Sequence, residues 1–88
     1  MKFGIVNHYQ LNLIFMDTHH VHDEELGFHT GTDEAKEWLG KGLSREGLQK
    51  YLREAQEKGS LNFKDHEGNR FKLVHNKEDG SFSVQTRH

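Results

Sequence analysis

"SLNFKDHEGNRFKLVHNKEDGSFSVQT", Ser60–Thr86, decides the fold class. Large apolar residues alternate with polar ones in three short runs: Leu61 and Phe63, Phe71 and Leu73, Phe82 and Val84. Period-two alternation marks strands with one buried and one solvated face. The runs are separated by "DHEGNR" and "NKEDGS". Gly68-Asn69 accepts positive φ, and Asp79-Gly80 is a hairpin signal. The stretch therefore predicts a three-stranded antiparallel meander whose apolar face needs a cover.

The cover lies just upstream. Leu48, Tyr51, Leu52 and Ala55 recur at three- and four-residue spacing, so they share one helical face. Ser44 is a good N-cap, Leu43 and Leu48 stand at the hydrophobic-staple positions, and Gly59 is a C-terminal stop. These signals predict a helix over 45–58. A shorter helix is expected after Thr32, read as its N-cap, with Ala35, Trp38 and Leu39 buried and Gly40 and Gly42 ending it.

Further back, Phe3, Ile5, Tyr9, Leu11, Leu13 and Phe15 are all odd-numbered. They predict either one long or bulged strand over 2–16, which is the preferred reading, or a hairpin turning near Asn7-His8. "THHVHDEELGFHTGT" has few apolar anchors and reads as a loop with a short strand at 25–29. The expected fold is α+β in a single domain, 1–88. It has an N-terminal strand or strands, one short and one longer helix, and a C-terminal meander, with the helices on one face of one sheet. The expected core is Phe3, Ile5, Leu11, Leu13, Phe15, Trp38, Leu39, Leu48, Leu52, Leu61, Phe63, Phe71, Leu73, Phe82 and Val84.

Composition narrows the function. The 88 residues hold no cysteine, which excludes disulfides and thiolate chemistry. That fits a reducing compartment, and a cytoplasmic location is expected. No apolar run approaches the ~20 residues of a membrane span. The N-terminus has no signal-peptide pattern. No serine sits in a strand–turn–helix elbow, and Gly40-Lys41-Gly42 lacks the length of a phosphate loop. A chain of this size and content is expected to be non-catalytic, with no cofactor.

Charge is more informative. Residues 1–40 carry Lys2 and Lys36 against seven acidic side chains; residues 41–88 carry ten basic against seven acidic. The halves stand at −5 and +3 within a net charge of −2. Such asymmetry means either intramolecular pairing, which is the expected arrangement, or a dipolar surface. Eight histidines make the charge mobile between pH 7 and pH 6.

Three functional readings follow. The first is a small regulatory or inhibitory protein, of a kind encoded by phage or mobile elements, that binds a protein partner. Its acidic surface would be Asp17, Asp23, Glu24, Glu25, Asp33, Glu34 and Glu37. The second is a winged-helix-like or antitoxin-like nucleic-acid binder. It would use the basic residues of helix 45–58 and hairpin 61–74: Arg45, Lys50, Arg53, Lys64, Arg70 and Lys72. The order helix, glycine, two strands over 48–74 is similar to that of Phd-type antitoxins, without a specific motif. The third is a histidine metal site. His20-Val21-His22 is similar in spacing to the histidine pair of amidohydrolases and metallo-β-lactamase-like hydrolases. Those scaffolds are far longer, and Asp23, Glu24 and Glu25 follow where the latter family has a further Asp-His pair. That resemblance is not carried over. No metal is expected; the candidate ligands are His20 and His22, with a third from His29, His66 or His75.

Overall fold

The long helix forms where its local signals place it. In the computed structural model, which describes residues 16–87, it spans Arg45–Lys58. The Ser44 side chain accepts a hydrogen bond from the Gly47 backbone N–H at 3.0 Å, satisfying one orphan donor of the first turn. Such a cap contributes about 1 kcal/mol. At the other end Gly59 adopts φ +91° and its N–H donates to the Ala55 carbonyl at 2.7 Å. A residue with a Cβ would be strained there. Leu48, Leu52 and Ala55 are the buried face.

The described strands are β1 (Met16–Val21), β2 (Glu24–His29), β3 (Ser60–Lys64), β4 (Arg70–His75) and β5 (Phe82–Thr86). Between β2 and β3 come α1 (Asp33–Glu37), a π-helical turn (Trp38–Gly42) and the long helix, α2 (Arg45–Lys58). The sheet order is β1-β2-β5-β4-β3. The predicted meander is present: β3 pairs with β4 and β4 with β5, both antiparallel. β2 joins β5 in parallel, so the sheet is mixed. The chain is thus α+β, with α2 packed on β3 and β4.

The short strand expected at 25–29 forms as β2, and the departure lies in the segment before it. The histidine-rich segment is not a loop but a hairpin, with Met16↔His29 through Val21↔Glu24 in register. Its two-residue turn is His22-Asp23, both at positive φ (50° and 67°). Positive φ at both central residues is the signature of a type I′ turn, whose twist matches that of the flanking strands. Asp and His enter this region more readily than β-branched residues, which lets the turn form without glycine. The His22 ring adds a tie, with Nε2 donating to the Leu43 carbonyl at 2.9 Å. Strand 2–16, the alternative hairpin at Asn7-His8, and the core positions Phe3, Ile5, Leu11, Leu13 and Phe15 lie outside the described residues.

Helix α1 is shorter than a full helical stripe. Thr32 precedes it but does not cap it through its side chain. Its hydroxyl instead donates back to the His29 carbonyl at 2.6 Å, and the residue is buried. After α1 the hydrogen bonding widens: the Leu43 N–H donates to the Trp38 carbonyl, five residues back, at 2.8 Å.

Strand parity fixes the two faces of the sheet. Val21, Leu26, Phe28, Phe63, Phe71, Leu73 and Val84 point to the helix side and are buried with Ala35, Leu39, Leu48, Leu52 and Ala55. Val21, Leu26 and Phe28 join the core in addition to the expected residues, because hairpin β1–β2 rather than a loop lies under α1. Trp38, Leu61 and Phe82, expected in the core, pack only partly against it.

Candidate functional site

The opposite parity builds the outer face. In the meander it carries Ser60, Asn62 and Lys64 from β3, Arg70, Lys72 and Val74 from β4, and Ser83 and Gln85 from β5. Register then sets neighbours. Lys64 stands directly opposite Arg70. Arg87, one residue beyond β5, donates its backbone N–H to the Arg70 carbonyl at 3.1 Å. Lys64, Arg70 and Arg87 therefore form a row of cations across β3, β4 and the residue after β5. The next row is Asn62, Lys72 and Gln85. No acidic residue shares this parity in the meander.

Such a row is electrostatically unfavourable on its own. Directly opposed side chains lie about 4.5–5.5 Å apart at Cβ, and like charges there destabilise a sheet. Among the described residues, none of Lys64, Arg70, Lys72 and Arg87 forms an ion pair within 4.0 Å. Glu34 lines a groove with Arg70 and Arg87 without closing on either. The Arg87 Nε is buried with no partner among the described residues.

The turn that positions Lys64 and Arg70 is held by Asp65. This residue is 7% exposed. Its Oδ1 accepts from the backbone N–H of Glu67 and of Asn69, and its Oδ2 from the Asn69 amide, each at 2.9 Å. Desolvation pushes the carboxyl up. The hydrogen bonds from Asn69 and Glu67 together outweigh it, and Asp65 lies below the usual carboxylate value. A depressed carboxyl contributes stability above its unfolded pKa, lost as pH falls through the folded one. Asp65→Asn is therefore expected to lower the urea midpoint at pH 7 and to flatten the loss between pH 5 and pH 2. A variant with the wild-type pH profile would show that the turn does not depend on the ionised carboxylate. Hydrogen bonds from Ser81 likewise lower Asp79, so some acid sensitivity should remain.

The structure splits the other expected sites. Arg45, Lys50 and Arg53 are exposed on α2, which packs on the inner face. Lys64, Arg70 and Lys72 belong to the outer face. The six basic residues therefore do not share one surface, and the winged-helix arrangement is not formed. The seven acidic residues are dispersed as well. Asp33 and Glu37 line a groove of about 540 Å³ with His19, His20, His22 and Lys36. Asp23 and Glu24 lie in and just after the turn, Asp17 lines a smaller neighbouring groove, and Glu34 faces Arg70 and Arg87. Glu25 projects from the outer face.

Intramolecular pairing, the expected arrangement, is sparse among the described residues. Among the described residues the one ion pair is Arg45–Asp23 at 4.0 Å, between side chains 61% and 88% exposed. Such a pair contributes about 0–1 kcal/mol.

His20 stands on β1 and His22 in the turn after β1 ends at Val21, although both line the groove beside Asp33 and Glu37. His22 commits Nε2 to Leu43. Among the described residues no three His, Asp or Glu side chains gather as a ligand set.

Two features escaped the sequence reading. Arg87 joins the basic row through the ladder. Its only advance signal was the parity it shares with Ser83 and Gln85. Trp38, assigned to the core, is half-buried and lines a surface groove with His66.

Searches against protein-family models, curated proteins and solved structures give no match. The fold and surface define an α+β domain with a helix-covered sheet face and a basic, polar one. No helix among the described residues is long and apolar enough to cross a membrane.

Proposed function

We propose that the chain is a non-catalytic regulator that binds nucleic acid on the outer face of its sheet. The observation that carries this reading is the row Lys64–Arg70–Arg87, with Lys72 beside it and no carboxylate paired to it among the described residues. The fold holds like charges together at a cost in stability, and a polyanion relieves that cost by placing phosphates between them. Asn62 and Gln85 in the next row supply donors and acceptors for phosphate, sugar or base edges. The absence of cysteine supports a cytoplasmic setting.

The test is fluorescence anisotropy of a labelled oligonucleotide of about twelve nucleotides, titrated at roughly 20, 50 and 200 mM salt. Binding that weakens linearly on a log–log salt plot is expected, with a slope of about −2 to −3 for three or four phosphates. No binding at the lowest salt would overturn the reading.

A protein partner engaging the acidic side is the second reading. The Asp33–Glu37 groove favours it, because these acids lie one helical turn apart on α1 beside His19 and His22. Labelled poly-lysine in the same assay separates the two. If poly-lysine binds while the oligonucleotide does not, and Asp33→Lys with Glu37→Lys abolishes the signal, the acidic side carries the function.

A further inference from the structure

We propose that the groove between Trp38 and His66 receives an unstacked base of a single-stranded nucleic acid whose phosphates lie on the Lys64–Arg70–Arg87 row. The inference rests on the nucleic-acid reading above and names its substrate class.

The outer face is incomplete as a single-strand surface. It offers cations and amides, but no Phe, Tyr or Trp of the described strands has its parity. Proteins that hold single strands combine a basic track with aromatic rings on which bases stack. The missing ring lies at the same end of the molecule. Trp38, the single tryptophan of the chain, and His66 have ring centroids 6.2 Å apart with planes inclined by 35°. With Glu37, Lys41 and Gly42 they line a groove of about 360 Å³. His66 follows Lys64 by two residues, so chain reach keeps their Cα atoms within about 7 Å. A strand lying along the basic row can therefore turn its terminal base over the Asp65–Asn69 loop and into the groove. Lys41 adds a cation at the rim.

The platform is held in place rather than left loose. The six-membered ring of Trp38 lies on the backbone of the π turn. A Cβ built on Gly42 would overlap it, 2.6 Å from Cζ3. Trp38 Nε1 is buried and has no hydrogen-bond partner among the described residues. π-helical turns occur frequently at functional sites, and here the turn sets an indole against the groove.

The sole tryptophan makes the test direct. Oligo-thymidine, oligo-uridine and a duplex of equal length are titrated while anisotropy and Trp38 fluorescence are read together. The expected result is quenching by single strands that saturates with the anisotropy curve, and little or no quenching by bound duplex. Thymidine against uridine distinguishes DNA from RNA as the source of the base. Trp38→Leu is expected to weaken single-strand binding about five- to hundredfold, the range of one lost base stack, while Trp38→Phe retains most of it. His66→Ala provides a second variant outside the core. Single strands that bind with unchanged fluorescence, and with wild-type affinity in Trp38→Leu and His66→Ala, would overturn the base-stacking inference and leave the basic row standing. Equal quenching by duplex would also overturn it. No binding of any oligonucleotide would overturn both.

Discussion

Leu73→Ala should cost the domain about 2–5 kcal/mol, the range for removing a large side chain from a sealed core. Leu73 is 0% exposed and sits on β4 directly opposite Leu61 of β3 and Val84 of β5. Its side chain therefore lies where three strands meet under the helix layer. Total stability for a chain this size is about 4–13 kcal/mol, so the loss is a large share of it. Urea unfolding should show a lowered midpoint with an unchanged slope, and the melting temperature should fall by about 10 °C or more. Leu73→Met, which roughly conserves volume, should cost less than about 1.5 kcal/mol. A loss under about 1 kcal/mol for the alanine variant would mean that the sheet and helices do not close over this position.

How much of this fold the sequence announces depends on how local each signal is. Helix 45–58 is readable because Ser44, the Leu48–Leu52 spacing and Gly59 all lie within or beside it. The meander is readable because each strand shows clean alternation and two of its turns contain glycine at positive φ, Gly68 and Gly80. Hairpin β1–β2 is not, since Asp17 and His19 occupy the inner-face positions of β1 where apolar residues would announce a strand. Its turn, His22-Asp23, also lacks the glycine expected of a type I′ turn. Val21 alone marks the inner face of β1, and His19 meets Phe28 there by ring contact at 5.8 Å. The parallel join of β2 to β5 links residues more than fifty positions apart, and no local pattern encodes it.

The candidate site shows the same division. Lys64, Arg70 and Lys72 are recognisable as basic residues on predicted strands. That they oppose the helix side follows from parity, since Phe63, Phe71 and Leu73 take the other face. Grouping them with Arg45, Lys50 and Arg53 required α2 to lie on the solvent side of the hairpin. The apolar faces of helix and sheet instead pack together, which turns the outward charges of each in opposite directions. The Trp38–His66 groove depends on the π turn, whose widened hydrogen bond has no simple residue signature.

That geometry yields the sharper prediction. Replacing Lys64, Arg70 and Lys72 together by alanine is expected to weaken oligonucleotide binding about tenfold or more at roughly 50 mM salt. It should also reduce the magnitude of the log–log salt slope by about 2, for three lost single-strand phosphate contacts. Replacing Arg45, Lys50 and Arg53 removes the same formal charge from the opposite side of the sheet. If net charge alone governed binding, the two triple variants would behave alike. If the outer face is the site, the helix variant should retain near wild-type affinity and slope. The reverse result, with binding lost only in the helix variant, would sink the outer-face reading. Stability supplies an independent readout. Alanine at 64, 70 and 72 removes the Lys64–Arg70 opposition and separates Arg87 from a like-charged neighbour. Like-charge relief across a sheet is worth a few tenths of a kcal/mol or more per pair. The outer-face variant should therefore unfold at the same or a higher urea concentration than the parent while binding less. Structural residues lose stability when truncated; residues kept for a polyanion lose binding and gain stability. A variant that loses both would identify the row as part of the fold's support.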